Sequence, residues 1–499
     1  MNLRANERLS ERIMPRPHRR FIFSTLLLCT WLFIAGCAVD QKAEVDLYRR
    51  VLDGRVAATQ PYVEGESLTL VRAMTLANQH NEQLGLRGED YLQSLIAKNR
   101  AVANFLPTVS FQPSFTIEQR ARDGAPSGST GSNTTASGGS YQDSGKISYR
   151  TEAPIVGSMN LFRGGGDIAN LQSADANIER QRLLLLDAQS TILLNVAQVY
   201  LQVLRSERAV EVLRNSVSLQ EARLKDVKDQ FANQLATKLA VAQTQAQVNG
   251  TRATLLQAQS DVRNGRHTLA LLVGVDTING KLSEQSVTDA VSDPKHTLTD
   301  YEQMALDRRE DFAAARAAVV SARAQVDAAF AQYYPSVSLN VAGFLYREFY
   351  ADASKWNAVL LANVPIFSAG VIEADVRSAW SRLRQAMLNE SFVRRQVLND
   401  VRTAFENLDA ADRKTAEFEQ QVQAAKEALD QARAAFANQL AINLDVLVAQ
   451  DQVLNSELQL TGVRFDRAVF LLDLTRAIGV LPEVTMQAAT RPATLPGLP

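Results

Sequence analysis

The feature that most restricts this chain is that most of it is written twice. Phe231-Ala-Asn-Gln-Leu-Ala236 recurs as Phe436-Ala-Asn-Gln-Leu-Ala441, an offset of 205. Extended without a gap to Val275 and Val480, the two copies share 16 of 45 positions, where average composition would give about three. The offset also runs backward, to Phe162 over Phe367 and Gly165 over Gly370. An earlier segment repeats at 228: Phe105-Leu-Pro-Thr-Val-Ser-Phe111 matches Tyr333-Tyr-Pro-Ser-Val-Ser-Leu339, and Glu82 falls on Glu310. The offsets differ by 23, so the first copy holds 23 extra residues between 111 and 162. That interval contains Asp123 to Gly145, dense in Gly, Ser and Thr. Such a stretch buries too little apolar surface to order itself and reads as a mobile loop.

Within each copy the hydrophobic period identifies the elements. Ile192, Val196, Val199, Val203, Ser206, Val210, Leu213, Val217, Gln220, Leu224, Val227 and Phe231 alternate spacings of four and three. The second copy keeps the register from Val397 through Leu408 and Val422 to Phe436. A sustained 3.5-residue repeat predicts a left-handed coiled coil. Gly166 to Phe231 contains no Pro, so one helix of about 100 Å is expected there. Thr237 to Leu272 and Leu298 to Tyr333 read as two half-length helices of about 36 residues each, long enough to stack against one long helix. Residues 276–297 form a side segment where they meet. Elsewhere the period is two. Val109, Phe111, Phe115 and Ile117 alternate with polar neighbours, as do Val337, Leu339 and Val341, and Lys146, Ser148, Arg150 and Glu152 alternate with Ile147 to Ala153. One apolar face and one polar face suit a membrane barrel strand that lines water. Strands are expected at about 105–119, 145–158, 334–348 and 354–366. Trp356, Tyr346 and Tyr350 are candidates for an interfacial girdle. Four strands cannot close a barrel and no open edge survives in lipid, so a membrane reading requires an oligomer.

The N-terminus reads as an address. Arg16, Arg19 and Arg20 precede the apolar run Phe21 to Phe33, which ends in Ile34-Ala35-Gly36-Cys37. This is a secretion signal over residues 1–36, and its end resembles a bacterial lipobox. Cys37 is then the lipid attachment site, residues 37–66 a lipid-anchored segment, and Ala38 in place of Asp implies sorting to the outer membrane. Cys29 and Cys37 are the only cysteines, so no disulfide or thiolate site is available to the mature body. His18, His80, His267 and His296 form no ligand-spaced pair, and no metal or cofactor is expected. The net charge is −1, and the first 36 residues contribute six Arg against two Glu. The remainder is mildly acidic and gives no reason to expect nucleic acid. There is no P-loop or G-x-S-x-G motif, and Gly164-Gly165-Gly166 lacks the phosphate-binding spacing. The chain therefore reads as a conduit and not an enzyme.

The order helix, strand, strand, long helix, helix, written twice over 67–275 and 298–480, resembles the TolC-like outer-membrane efflux proteins. Phe105 to Phe111 and Tyr334-Pro-Ser-Val-Ser338 enter the strands, and Leu161-Phe-Arg-Gly-Gly-Gly166 and Pro365-Ile-Phe-Ser-Ala-Gly370 leave them. The resemblance implies a mainly α fold with a small β part and a homotrimer with a 12-stranded barrel and a 12-helix periplasmic tunnel. It also implies outer-membrane lipid around the barrel, with a periplasmic adaptor and an inner-membrane pump at the far end. Adaptor-contacting tips would lie at Asn233-Gln234 and Asn438-Gln439, where the family usually places Gly; Asn233 and Asn438 are expected to take the left-handed conformation. Asp445 matches a pore-facing gate Asp, while Val448 stands where a second family Asp would be, and the first copy has Ala240 in place of Asp445. A protein-secretion exit duct and a lipid-anchored tether without a pore are the alternatives, and 481–499 is a Pro-containing tail.

Overall fold

The computed structural model describes residues 40–53, 62–119, 147–284, 296–347 and 354–483. The signal segment with Cys37, the Gly/Ser/Thr insertion, Tyr350 and the tail 484–499 lie outside the described residues. The elements in order are α1 Gln41–Asp53, α2 Leu70–His80, α3 Glu82–Ala103, β1 Thr108–Phe111, β2 Ser114–Gln119, β3 Ile147–Arg163, α4 Gly166–Ala232 and α5 Lys238–Val273. The second copy follows as α6 Leu298–Arg308, α7 Glu310–Phe330, β4 Ser336–Arg347, β5 Trp356–Asn363, α8 Val371–Ala437 and α9 Asn443–Ala477.

The two long helices have 67 residues each. Their heptad stripes are the buried seams: Val196, Val203, Leu213, Leu224 and Val227 in α4, and Val397, Val401, Leu408, Val422 and Leu429 in α8. α5 packs along α4, α9 packs along α8, and α9 also lies on α4, which joins the two hairpins. The turns that start and stop these helices repeat at 205. Positive φ occurs at Gly164 and Ala369, Gly165 and Gly370, Gln234 and Gln439, and Gly274 and Gly479. At Gly164 the close approach is as demanding as the φ, since a Cβ there would stand 2.3 Å from the Ala331 carbonyl oxygen.

Two expectations need correction. Leu298 to Tyr333 is not one helix: Arg309 is extended (φ −68, ψ 124) and separates α6 from α7, with a 3-10 turn at Ala331–Tyr333 closing the run. The equivalent break in the first copy is Asn81 (φ −69, ψ 120) between α2 and α3, 228 residues earlier. Asn81 caps α3 through its Oδ1, which accepts from the Leu84 N–H, and its Nδ2 donates to the Leu272 carbonyl. Arg309 does the corresponding work with charge. Its side chain is 4% exposed; Nε and Nη2 donate to Asp311 at 3.0 and 2.6 Å, and Nη1 to Asp400 at 2.8 Å. Nearby, Arg476 of α9 donates to Asp187 and Thr191 of α4. The Arg309 bonds fasten the α6–α7 junction to α8, and those of Arg476 fasten α9 to α4.

The other correction concerns the expected strand 105–119, which is split into β1 and β2 at Gln112-Pro113. Pro113 has no N–H to give a ladder, while Gln112 still donates to the Pro154 carbonyl. Both pieces pair with β3, and the antiparallel sheet continues β3–β4–β5. β3 also runs five residues beyond the expected end at 158. The register places Val109 and Phe111, then Ile155, Gly157 and Met159, then Leu339, Val341 and Gly343, then Trp356, Ala358 and Leu360 on one face. The opposite face carries Thr108, Ser110, Ser158, Asn160, Ser336, Ser338, Asn340, Asn357 and Asn363, interrupted by Val156, Ala342, Val359 and Leu361.

Candidate functional site

A wall with one largely apolar face and one hydroxyl- and amide-rich face is what a lipid-embedded, water-lined sheet requires. The exposed aromatics sit on the apolar side: Phe111, Phe115 and Trp356 are all exposed, and Tyr346 is exposed near the same end as Trp356. Below the sheet, the long helices carry the chain to two tips.

Each tip closes as a Schellman motif. Leu235 N–H donates to Gln230 O and Gln234 N–H to Phe231 O; the second copy repeats this with Leu440 to Ala435 and Gln439 to Phe436. The residues in the left-handed region are Gln234 (φ 62) and Gln439 (φ 60), not the asparagines. Asn233 and Asn438 remain at φ near −91 as helix caps, because their Nδ2 groups donate to the Asp229 and Ala434 carbonyls at 2.9 Å and hold them there. Beyond them Leu235 and Leu440 project 79% and 83% exposed. In a Schellman turn such a leucine usually folds back on its helix; here neither does. These two leucines went unnoticed in the sequence, although their place directly after the repeated Asn-Gln pair marks them.

The two copies cap their descending helices differently. In α5, Thr237 Oγ1 accepts from Ala240 N–H. In α9 the equivalent Ile442 has no side-chain acceptor, and Asp445 instead accepts from the Ile442 N–H at 2.9 Å. Asp445 is exposed and has a structural duty at the helix start. Next to it a cross-copy contact appears that sequence reasoning missed. The Arg223 guanidinium of α4 lies 4.2 Å from the Phe436 ring centroid. Its Nη2 donates to Asn443 Oδ1 at 3.0 Å, and Asn443 Nδ2 donates to Thr244 Oγ1 at 3.1 Å. Burial pushes the guanidinium below its ordinary pKa. Phe231, the first-copy match of Phe436, is 45% exposed.

The outer membrane efflux protein family model matches residues 97–275 and 302–480. The chain belongs to that family. The two matched stretches lie within the two copies read from the repeat and end at the same residues, 275 and 480. Among individual relatives, a protein named as a probable outer membrane lipoprotein, SilC of Salmonella typhimurium, is 22% identical over 324 residues, 63% of this chain and 69% of its own. The outer membrane protein TolC of Vibrio cholerae is 25% identical over 308 residues, 59% of this chain and 69% of its own. Among solved structures, CusC superposes with a TM-score of 0.73 at 18% identity, covering 85% of this chain and 96% of that one. VceC of Vibrio cholerae gives 0.68 at 23% identity, covering 82% and 96%. The chain is thus an outer-membrane efflux channel protein with the fold of these channels.

Proposed function

We propose that three copies of this chain close into one passive duct, the outer-membrane part of a tripartite system completed by a periplasmic adaptor and an inner-membrane pump. The observation that carries this reading is an unfilled place in the packing. α7 is wedged between α4 and α8, whereas α3, its first-copy counterpart, packs on α4 and makes no comparable contact with α8. The side of α8 away from α7 keeps Leu388 and Phe392 exposed, at 71% and 57%. A neighbour's α3 fills that place if the two copies alternate around a ring. The sheet agrees: β1 with β2 and β5 are its two unpaired edges, and lipid tolerates none. Three copies, the number the family resemblance implies, give 12 staves.

In that ring Leu235 and Leu440 form, with Asn233, Gln234, Asn438 and Gln439, an adaptor-docking rim. The Asp445 carboxylates form a triad at the entrance, favouring cations. The cargo class is small solutes, in line with relatives named as a cation efflux system protein and a pyoverdine export protein. Cys37 is the lipid anchor. α1 runs antiparallel to α3: Tyr48 packs where Gly88 leaves room, Arg49 donates to Asn78 O, and Gln189 donates to Leu52 O. Its first residues therefore point toward the barrel.

Purified protein is expected to cross-link as a trimer and conduct in planar bilayers, while Leu388→Glu with Phe392→Glu yields monomers. Wild-type protein that stays monomeric in detergent and never conducts would overturn the reading.

A further inference from the structure

At the end of β4 far from the helices one cross-strand pair is charged. Glu152 of β3 stands opposite Arg347 of β4, and Arg347 Nε donates to Glu152 Oε1 at 3.0 Å. The face follows from the register. Glu152 shares parity along β3 with Val156, Ser158 and Asn160, whose partners Ala342, Asn340 and Ser338 belong to the polar face. A bulge opposite Ala153 and Pro154 restores the match, so Arg347 also falls on that face although the odd-numbered residues of β4 before the bulge face the other way. The Arg347 guanidinium lies 4.3 Å from the ring centroid of Phe344, which stands opposite Pro154. Both charged side chains are mostly covered, at 27% and 19% exposure. The ring and the carboxylate together hold the guanidinium down against the wall.

The height of the pair is fixed by the strands. Ser336 to Arg347 is 12 residues from the helix end of β4, roughly 30 Å of rise for a tilted strand, which spans a hydrocarbon core. The pair therefore sits at the outer rim of the lumen.

We infer that Glu152, Arg347 and Phe344 set the charge preference of the duct's outer mouth, the Arg347 guanidinium opposing the negative field of Glu152. This rests on the closed-barrel reading above. Twelve strands at the usual tilt give a backbone diameter of roughly 25 Å, and side chains leave a bore of roughly 12 Å. The Debye length is about 8 Å at physiological salt, so a charge on this wall is felt at the axis. A change of three charges at that height would bias the permeating ions. An ordinary cross-strand pair that only steadies the strands is worth about 0.2–1 kcal/mol and has no effect on ion preference.

The two roles separate in planar bilayers under a KCl gradient. Arg347→Met leaves three carboxylates, and the potassium-to-chloride permeability ratio is expected to rise about twofold. Glu152→Gln removes three negative charges, and the ratio is expected to fall about twofold. The double variant returns to the wild-type ratio, and Arg347→Lys, which keeps the charge, stays there. Conducting single variants with unchanged ratios, or shifts that do not cancel in the double variant, would overturn the inference alone. Wild-type protein that never conducts overturns the barrel reading and this inference with it.

Discussion

Replacing Arg309 by Met removes a guanidinium that is 4% exposed and leaves Asp311 and Asp400, 22% and 32% exposed, without their shared cation. Breaking a buried pair from one side costs about 3–5 kcal/mol. Both carboxylates keep some water here, so the low end, about 3 kcal/mol, is expected, equivalent to about 150-fold in a local opening equilibrium. Amides around the α6–α7 junction report that opening directly through hydrogen exchange. Their exchange is expected to quicken by about two orders of magnitude at neutral pH.

The pH dependence gives a second check. In the wild type, burial raises the Asp311 carboxyl, but hydrogen bonds and charge from Arg309, helped by Arg476, outweigh it and hold the group below its ordinary value. That contribution is present above the unfolded value of 3.8 and is lost as pH falls through the lower folded value. With Arg309 gone, burial acts against only Arg476 and the Phe312 N–H, and the folded carboxyl is expected to rise above its unfolded value. The penalty is then largest near neutrality and fades as the group protonates. The ratio of variant to wild-type exchange should therefore shrink as pH falls from neutrality toward the raised carboxyl value, and Asp311→Asn in the same background should recover part of the loss. A change below about fivefold, or a ratio that does not move with pH, would refute the assignment of this energy to the ion cluster.

Further expectations concern the turns and tips. Asp445→Asn keeps an acceptor for the Ile442 N–H and removes only the charge, so it should lower cation preference with α9 exchange unchanged; an unaltered reversal potential would leave Asp445 as a cap alone. Gly164→Ala should destabilise the strand-to-helix bend by about 2 kcal/mol or more, since φ and the Ala331 carbonyl both oppose a Cβ, whereas Ala369→Gly should stabilise its match by about 1 kcal/mol. Thermal unfolding checks both signs. Leu235→Asp with Leu440→Asp should abolish cross-linking to the adaptor while trimer and conductance persist, and retained cross-linking would exclude the leucines from the rim.

The repeat made the large elements legible because long helices and strands declare themselves by period. α4 and α8 begin at Gly-containing bends and end at the same Asn-Gln pair, so both boundaries could be read closely. The break at Arg309 could not, for neither Arg nor the flanking Glu and Arg disfavours a helix. Only its equivalence to Asn81 marks the position, and that required knowing what Asn81 does. At the tips, residue preference pointed to Asn for the left-handed site, but the asparagine amide has a better use one position earlier, as a cap to the Asp229 or Ala434 carbonyl. The Arg223–Phe436 contact joins residues in different copies and follows no period. In the barrel, Glu152 was legible as a polar-face residue, whereas Arg347 was hidden by the bulge that changes its parity.

The equal length of the two 67-residue helices has a consequence for how such a chain can change. Each residue inserted or deleted in one of them would move that tip by about 1.5 Å and turn everything beyond it by about 100°. The seam residues would swing away from the neighbouring helix, and the two tips would no longer end at one level. The pair works as a matched gauge: length can drift only if both copies drift together. The 23 residues by which the two offsets differ fall between 111 and 162, outside both long helices.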